Sequence, residues 1–348
     1  MSEKQILLCG YFAFNTNDNG GQPVKSRELY HGLCTYYRDA QIDYVETMGW
    51  KKNPLRLLRD YYKKAKTADC IIMLPAHNGL SVFSRLLLFS KKRKNTKIYY
   101  DVIGGWLPQK VKCSPSLLKI LKKFDGIWVE TSSMMEDLNV LELENLSVLP
   151  NFKELNVLTP DELTTHFDEP YKLCTFSRVI KEKGIEDAIS AVKNINEKKG
   201  RICFTLDIYG QIDSEYAERF AEIQREFPDY IRYMGMVAYG ESVETLKDYF
   251  ALLFPTHYYT EGIPGTIIDA YAAGVPVITS LWKNYKDVFD EGITGYGYSF
   301  NNKDGVKNIL EKILENPEAL IKMKQICLEK SKIYTSSVVV EKIKTIIE

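Results

Sequence analysis

The sequence predicts an α/β protein of two doubly wound domains, each with a parallel β-sheet covered by helices on both faces. Short apolar runs typical of buried strands alternate with segments of helical periodicity along most of the chain, as in βαβ units. The chain has 348 residues, more than one hydrophobic core usually holds. A polar stretch after residue 151, ELNVLTPDELTTHFDEP, interrupts the alternation and is interpreted as the connection between the domains.

The elements follow from the apolar pattern in chain order. In the segment 55–65 the apolar residues stand at positions 55, 58, 61, 62 and 65, which is helical spacing. The first half also has a predicted helix at 26–37 and a helix-like apolar run in SVFSRLLLFSKKRKNTK. In the second half, helices are predicted from about 185, from about 215 and over 242–249. The predicted strands are 5–9, 70–74, 97–102, 126–130, 147–151, 172–177, 203–210, 231–235, 251–255 and 275–279.

Composition and cysteine spacing narrow the class of protein. The chain is 45% apolar and 26% charged, and no apolar run reaches the roughly 20 residues of a membrane span. The N-terminus has no secretory cleavage pattern. The seven cysteines are scattered and form no Cys-x-x-Cys pair, which argues against a zinc site and for a reducing compartment. We therefore expect a cytoplasmic protein.

Charge is distributed unevenly along the chain. Residues 1–150 hold 22 Lys and Arg against 15 Asp and Glu, whereas the remainder holds 24 against 31. Residues 51–97 contribute thirteen basic residues and two acidic ones. One interpretation is a peripheral contact of 51–97 with an anionic membrane, and the other is a pair of ordinary surface helices. The neutral total and the absence of a recognition motif argue against nucleic-acid binding.

The segment EGIPGTIIDAYAAGVPVI contains two acids, Glu261 and Asp269, around a Gly/Pro turn. Pro264 suits the first turn of a helix, and Gly274 suits its C-terminal end. Glu261 is then expected on the loop at the carboxyl end of a strand, with Asp269 inside the helix. The backbone N–H groups around the helix start would form an anion cradle. The alternative is a helix whose first-turn acid complements the dipole, with Asp269 on its exposed face.

The longer segment FPTHYYTEGIPGTIIDAYAAGVPVITS resembles the signature of glycosyltransferase family 4, which comprises retaining enzymes with the GT-B fold. The family pattern is a strand ending in Pro-Ser/Thr, then Glu-Gly-x-Pro, a second acid after seven residues, and Ala-x-Ala-x-Gly-x-Pro-Val-Ile. Asp269 departs from it, since glutamate is usual there. FSRVIKEKGIEDAI resembles the segment whose Arg and Lys hold the donor diphosphate, so the resemblance gives that role to Arg178 and Lys183.

Further segments resemble the same family. LDIYGQID and RYMGMVAYGE resemble the nucleobase pocket, NDNGGQPVKSRELYHGL resembles a Gly-Gly loop near the donor phosphates, and LPAHNGL places a histidine at a strand end. The resemblance implies catalytic roles for Glu261, Arg178, Lys183 and His77. It implies acceptor contact for His77, and Asp101 is a second polar candidate at a strand end. The implied donor-binding residues are Gly20, Gly21, Arg178, Lys183, Tyr209, Gly210, Met236, Val237, Glu261, Gly262, Ile263, Pro264, Gly265, Thr266 and Asp269.

The resemblance implies two Rossmann-like domains facing a cleft. Residues 1–165 would bind the acceptor, 166–330 the nucleotide sugar, and 331–348 would form a helix that crosses back to the first domain. The implied reaction moves a sugar from a nucleoside diphosphate to a glycan or lipid-linked acceptor, as in bacterial surface polysaccharide assembly. No metal is expected to be required, since the chain has no Asp-x-Asp element.

Other functions remain as alternatives. A catalytically idle nucleotide-sugar-binding or assembly protein of the same fold has the same motifs. An NAD-dependent enzyme is disfavoured because CGYFAFNTNDNGG lacks Gly-x-Gly-x-x-Gly after the first strand. Trp106, after Gly104 and Gly105, is interpreted either as a sugar-stacking platform or as a core residue in a turn.

Overall fold

The computed structural model describes residues 3–16, 20–75, 77–91, 95–238 and 240–348. The chain divides into two compact units. The first takes in the chain as far as Glu154 together with Tyr334–Glu348, and the second spans Leu155–Ile333. Each unit is built around its own six-stranded parallel sheet.

The first sheet has the strand order β2-β1-β3-β4-β5-β6. Its strands are β1 (Lys4–Gly10), β2 (Ala40–Glu46), β3 (Cys70–Met73), β4 (Lys97–Asp101), β5 (Gly126–Val129) and β6 (Leu146–Val148). The helices between them are α1 (Gly21–Tyr36), α2 (Pro54–Ala65), α3 (His77–Lys91), α4 (Leu107–Lys112), α5 (Pro115–Leu121) and α6 (Ser132–Asn139). Every residue of β3 and β5 is buried, because helices cover both faces of a parallel sheet.

The second sheet has the strand order β12-β11-β10-β7-β8-β9. Its strands are β7 (Tyr171–Phe176), β8 (Phe204–Tyr209), β9 (Ile231–Gly235), β10 (Ala251–Phe254), β11 (Val277–Leu281) and β12 (Gly295–Ser299). Its helices are α7 (Ile185–Lys199), α8 (Ala217–Gln224), α9 (Ser242–Leu246), α10 (Gly265–Ala272), α11 (Gly305–Glu315), α12 (Pro317–Ile321) and α13 (Met323–Ser331). The prediction of a doubly wound α/β protein is confirmed.

The sequence analysis did not predict two of the edge strands, β2 and β12. In β2 the residues are mostly half-buried and polar residues interrupt the apolar ones, so no apolar run marks the strand. In β12 the sequence GYGYS contains two glycines, which are depleted in strands. Both are edge strands, β2 beside β1 and β12 beside β11, and most of their residues are not fully buried.

The division between the units falls earlier in the chain than expected. Residues 155–165, assigned from the sequence to the first domain, belong to the second unit. The Leu158 N–H donates to the Ala272 carbonyl at the end of α10 (3.1 Å), and the Leu163 side chain packs against Gly274. These contacts attach the polar connecting stretch to the second core.

The last helix, α14 (Ser336–Ile347), belongs to the first unit. Val340 packs on Gly32 of α1, and Val339, Val340 and Ile343 are fully buried in a cluster with residues of β1 and α1. The Lys4 ammonium donates to the Ile347 carbonyl at the helix end (2.6 Å). A helix from the far end of the chain therefore completes the core of the first unit.

Across the described part of the chain, no helix combines the length and the apolar character that a membrane crossing requires.

Candidate functional site

Two loops meet at the carboxyl edge of the second sheet. One follows β7 and leads through a 3₁₀ turn, Lys181–Lys183, into α7, and the other follows β10 and leads into α10. Because β7 and β10 are neighbouring parallel strands, their carboxyl ends lie side by side and the two loops come together. In doubly wound sheets this edge is where ligands bind.

An ion pair links the two loops. Lys183 Nζ lies 2.7 Å from Glu261 Oε2, and the two side chains are 12% and 19% exposed. The ammonium also lies 5.0 Å from the centre of the Phe254 ring and 5.3 Å from that of Tyr258. Thr256 Oγ1 donates to the same Glu261 oxygen (3.3 Å). Both charges therefore lie at the carboxyl edge of the sheet, where a ligand that enters can replace either side chain as the partner of the other.

The backbone of this loop pair is closely packed at Gly184. This residue has φ +67° in the left-handed region and ends the 3₁₀ turn that contains Lys183. A Cβ atom at Gly184 would collide with the Pro255 carbonyl oxygen on the other loop. Glycine is therefore required both by the backbone conformation and by the approach of the two loops.

Replacing Gly184 by alanine is expected to destabilise the second unit by roughly 2–5 kcal/mol, because strain at positive φ and the collision with Pro255 add together. Gly200 is a matched control, since it also has positive φ (+63°) but no atom within 4 Å of a built Cβ. Gly200→Ala should cost only about 1–2 kcal/mol. The measurement is urea unfolding followed by circular dichroism. Equal losses for the two variants would contradict the close packing at Gly184.

Tyr258 is a site residue that the sequence analysis missed. Its ring lies over the Lys183 ammonium and is 37% exposed. Burial raises the pKa of the Tyr258 phenol, the carboxylates of Glu182 and Glu261 add to the increase, and Arg178 opposes it. Arg178 is itself exposed on the loop after β7. The phenol thus stands among the predicted site residues, and the only sequence signal for it was an aromatic residue between Pro255 and Glu261.

His257 is a second residue that the motif did not single out. The Nε2 atom of its ring lies 2.9 Å from Asp187 Oδ2 in the first turn of α7. The backbone N–H of His257 donates to the Glu182 carbonyl (2.8 Å). Both contacts join the loop after β10 to the segment that contains Lys183. They add to the ion pair in fixing the two loops against each other.

The start of α10 presents backbone donors to the same edge. Pro264 is the N-cap residue, and its carbonyl accepts from the N–H groups of Ile267 (3.0 Å) and Ile268 (3.4 Å). The first-turn N–H groups of Gly265 and Thr266 have no acceptor within the helix, which is general for helix N-termini. The Thr266 hydroxyl donates to the Phe176 carbonyl at the end of β7. Gly262, Ile263 and Pro264 are buried beneath this turn.

Asp269 lies in the second turn of α10 and is only 2% exposed. Ser242, the first residue of α9, donates its hydroxyl to Asp269 Oδ1 (2.9 Å). The carboxylate predicted from the sequence is therefore covered by a neighbouring hydroxyl rather than placed on an exposed helix face. This excludes the alternative of a solvated acid on the outer side of the helix.

The remaining predicted donor residues follow β8 and β9. Tyr209 ends β8, and its hydroxyl lies 2.9 Å from that of Tyr249. Gly210 has φ +131°, and a Cβ there would collide with the Ser177 carbonyl oxygen on the loop that contains Arg178. Met236 follows β9 and is 63% exposed, and Val237 is half-buried. All of these residues stand at the carboxyl ends of strands in the second unit.

The predicted residues of the first unit have different surroundings. Gly20 caps α1 and Gly21 is its first residue. His77 is the first residue of α3, and its side chain lies outside the described part of the structure. Trp106 donates its indole N–H to the Ile103 carbonyl (2.7 Å) in a turn after β4 and packs on the core.

The interpretation of Asp101 as an acceptor contact is wrong for this structure. Asp101 has no exposed surface, and its Oδ1 atom lies 3.1 Å from Lys25 Nζ. The same ammonium lies 3.0 Å from Glu130 Oε1, and all three side chains are buried. Burial raises the pKa of Asp101 to about 6, although Lys25 opposes the increase. The polar strand end that suggested a ligand contact is part of an internal ion cluster.

Comparison with known proteins identifies the second unit. The family model for glycosyl transferases group 1 matches residues 162–329, which include both loops and α10. These residues are similar to a glycosyl transferases group 1 domain. The match includes the segment that contains Asp269 and the segment that contains Arg178 and Lys183.

Among curated relatives, the amylovoran biosynthesis glycosyltransferase AmsK of Erwinia amylovora is 24% identical over 132 residues, which is 37% of this chain and 32% of AmsK. The chain spans less than two thirds of the length of the curated relatives that it matches. Among solved structures, Anabaena Alr3699/HepE in complex with UDP and glucose superposes with a TM-score of 0.74 at 12% identity over 98% of both chains. The apo form of the lipopolysaccharide outer core galactosyltransferase WaaB superposes with a TM-score of 0.71 at 14% identity over 99% of both chains. The likeness establishes the GT-B fold.

Proposed function

We propose that this glycosyltransferase-fold protein transfers a sugar from a nucleoside diphosphate donor to a hydroxyl of a glycan or lipid-linked acceptor. The observation that supports this most strongly is the Lys183–Glu261 pair at the carboxyl edge of the second sheet (2.7 Å), beside Arg178 and the start of α10. A cation, an acceptor-only carboxylate and a set of backbone donors are the groups that a diphosphate and a sugar together require. The names of AmsK and WaaB point to polysaccharide assembly as the setting.

In the proposed reaction, the bond between the anomeric carbon and the diphosphate oxygen breaks and the acceptor oxygen bonds to that carbon. The proton of the acceptor hydroxyl passes to the departing diphosphate. Lys183, Arg178 and the N–H groups of Gly265 and Thr266 would stabilise the charge on the departing diphosphate. Such preorganised electrostatic stabilisation is usually a large part of catalysis. We propose that these groups act without a metal ion and that the anomeric configuration is retained.

The donor would be held by the second unit. Glu261 would accept hydrogen bonds from the hydroxyls of the transferred sugar once Lys183 turns to the diphosphate. Asp269 would serve the ribose, and the segments after β8 and β9, with Tyr209, Gly210, Met236 and Val237, would line the nucleobase pocket. In the first unit, we assign Gly20 and Gly21 to the donor phosphates and His77 to the acceptor.

A contact with the cytoplasmic face of an anionic membrane is also proposed, because a lipid-linked acceptor resides there. In α2 the buried face consists of Leu57, Tyr61 and Ala65, so the basic side chains point outward. Leu55 at the start of this helix is 78% exposed. The exposed basic residues of this surface are Lys51, Lys52, Arg56, Arg59, Lys63 and Lys66. Basic groups at an anionic lipid surface contribute about 1 kcal/mol each.

The proposal is tested by thermal unfolding with a panel of nucleoside diphosphates and nucleotide sugars, followed by a hydrolysis assay with each compound that stabilises the protein. At a ligand concentration of 100 times Kd, stabilisation of about 2.7 kcal/mol is expected. The variant Arg178→Ala should reduce this stabilisation by a diphosphate, while Arg225→Ala, an exposed arginine after α8, should not. If no nucleotide stabilises the protein, the proposed function is wrong. Binding without hydrolysis or transfer would instead favour an idle nucleotide-sugar-binding protein.

A further inference from the structure

Asp269 and Ser242 form a pair in which only the serine is accessible. The carboxylate is 2% exposed, whereas Ser242 is half-buried. Their hydrogen bond, from Ser242 Oγ to Asp269 Oδ1, is 2.9 Å long. The two residues lie 27 positions apart, on α9 and α10, and both helices start at the carboxyl edge of the second sheet. A ligand at that edge therefore reaches Ser242 before it reaches the acid.

The hydrogen bond defines what the serine can offer to a ligand. A hydroxyl has one proton and two acceptor lone pairs. Because Ser242 donates its hydroxyl hydrogen to the hydrogen bond with Asp269, its oxygen remains able to accept a hydrogen bond from a ligand. A hydroxyl polarised by a carboxylate is also a stronger acceptor than an isolated one, since hydrogen bonds in a chain reinforce one another. The pair thus offers a ligand an acceptor oxygen on α9, in addition to the buried carboxylate on α10.

We infer that Ser242 is a specificity-determining residue that extends the short Asp269 side chain and accepts a hydrogen bond from a ribose hydroxyl of the nucleotide donor. This rests on the proposed function and specifies one contact of the same site. Aspartate at position 269 has one methylene fewer than glutamate, and the hydroxyl of the more accessible Ser242 is hydrogen-bonded to its carboxylate. The pair should therefore distinguish ribonucleotides from 2′- or 3′-deoxyribonucleotides, which lack the donating hydroxyl.

The test measures dissociation constants by calorimetry for the nucleoside diphosphate that binds the full-length wild-type protein and for its 2′-deoxy and 3′-deoxy counterparts. Wild type is expected to bind the ribonucleotide roughly tenfold more tightly than at least one deoxy counterpart, which is the order of one net hydrogen bond. Ser242→Ala should weaken binding of the ribonucleotide by about the same factor and leave the dissociation constant of that deoxy compound unchanged. Ser190→Ala, an exposed serine on α7, is the matched control and should bind like wild type.

A compensating variant separates this role from a structural one. In Ser242→Ala/Asp269→Glu, the longer carboxylate should reach the ribose directly and restore the preference for the ribonucleotide. Circular dichroism verifies that each variant is folded, and Ser242→Cys, which keeps the bulk but is a weak hydrogen-bonding group, should behave like Ser242→Ala.

Two results would overturn the inference, and they differ in what they say about the function. Ser242 is not a ribose contact, although the protein binds nucleotides, if Ser242→Ala binds the ribonucleotide as tightly as wild type. The same conclusion follows if the variant loses affinity for ribonucleotides and deoxyribonucleotides by the same factor. If the wild type binds none of the nucleoside diphosphates, the proposed function fails and the inference fails with it.

Discussion

Replacing Lys25 by methionine is expected to destabilise the first unit by about 3–5 kcal/mol, the usual cost of removing one partner from a buried ion cluster. Lys25 is 3% exposed and is the cation that faces both Asp101 (3.1 Å) and Glu130 (3.0 Å). Without it, Asp101 and Glu130 remain buried and lose the ammonium that faces both of them. Methionine has a similar volume, so the loss reports on charge rather than on packing.

The sign of the pH dependence follows from Asp101. Burial raises the pKa of Asp101 from its ordinary value of 3.8 to about 6, so between these values the folded state binds more protons than the unfolded state. Stability from this group therefore falls as pH rises through that window. Lys25 opposes the increase in pKa, so its removal raises the Asp101 pKa further and extends the window upward. The loss of unfolding free energy caused by Lys25→Met should be large at pH 8 and become smaller as pH falls toward 5.

Hydrogen exchange of the amides in β4, which ends at Asp101, and in β5, which precedes Glu130, measures the stability of this unit. Lys64→Met is the control, because Lys64 forms an ion pair with Asp43 (2.8 Å) in which the side chains are 32% and 49% exposed. Surface pairs of this kind contribute about 0–1 kcal/mol. The double variant Lys25→Met/Asp101→Asn should recover part of the loss. A loss below about 1 kcal/mol for Lys25→Met at pH 8 would contradict the account of the cluster.

The second large effect is expected on catalysis. Lys183→Ala should lower kcat/KM for sugar transfer by roughly 10²–10³-fold, because it removes a charge that would stabilise the leaving diphosphate. Glu261→Gln should cause a comparable loss, because an amide replaces the acceptor-only carboxylate that would hold the sugar hydroxyls. The measurement is steady-state transfer with the donor that the binding panel identifies.

Lys181→Ala provides a matched control for this prediction. Lys181 lies in the same 3₁₀ turn as Lys183 and is exposed, while Lys183 is 12% exposed and faces Glu261. Removing it should change kcat/KM by no more than about twofold, the range of a solvated surface charge. Equal losses in Lys181→Ala and Lys183→Ala would show that general charge, rather than the position of Lys183, supports the reaction.

Much of the fold could be read from local patterns. The runs CIIM and GIWV are apolar at every position because both faces of their strands are covered, and the sequence analysis found them within one residue of their ends. The helix at 55–65 was found within one residue for a similar reason, since its buried residues recur at helical spacing. The edge strands β2 and β12 were missed because most of their residues are not fully buried, so no continuous apolar run marks them.

The candidate site divides in the same way. Glu261 and Lys183 were singled out by motif, but their pairing across 78 positions depends on β7 and β10 being neighbours in the sheet. His257 and Tyr258 had no distinguishing signal, and their contacts to Asp187 and Lys183 come from the same adjacency. For Asp101 the prediction was wrong, because a polar residue at a strand end looks alike in sequence whether it meets a ligand or a buried lysine.

The sequence by itself determined the class of fold, the order of most of its elements and the segments that resemble a glycosyltransferase donor site. These properties depend on residues close together in the chain, where helical and strand periodicity and turn chemistry act. Only the tertiary structure decided which charged groups neutralise one another: Lys183 with Glu261, and Lys25 with Asp101 and Glu130. It also decided that Ser242 covers Asp269. The physical reason is that strand order and crossover connections, rather than spacing along the chain, determine which side chains share a low-dielectric environment.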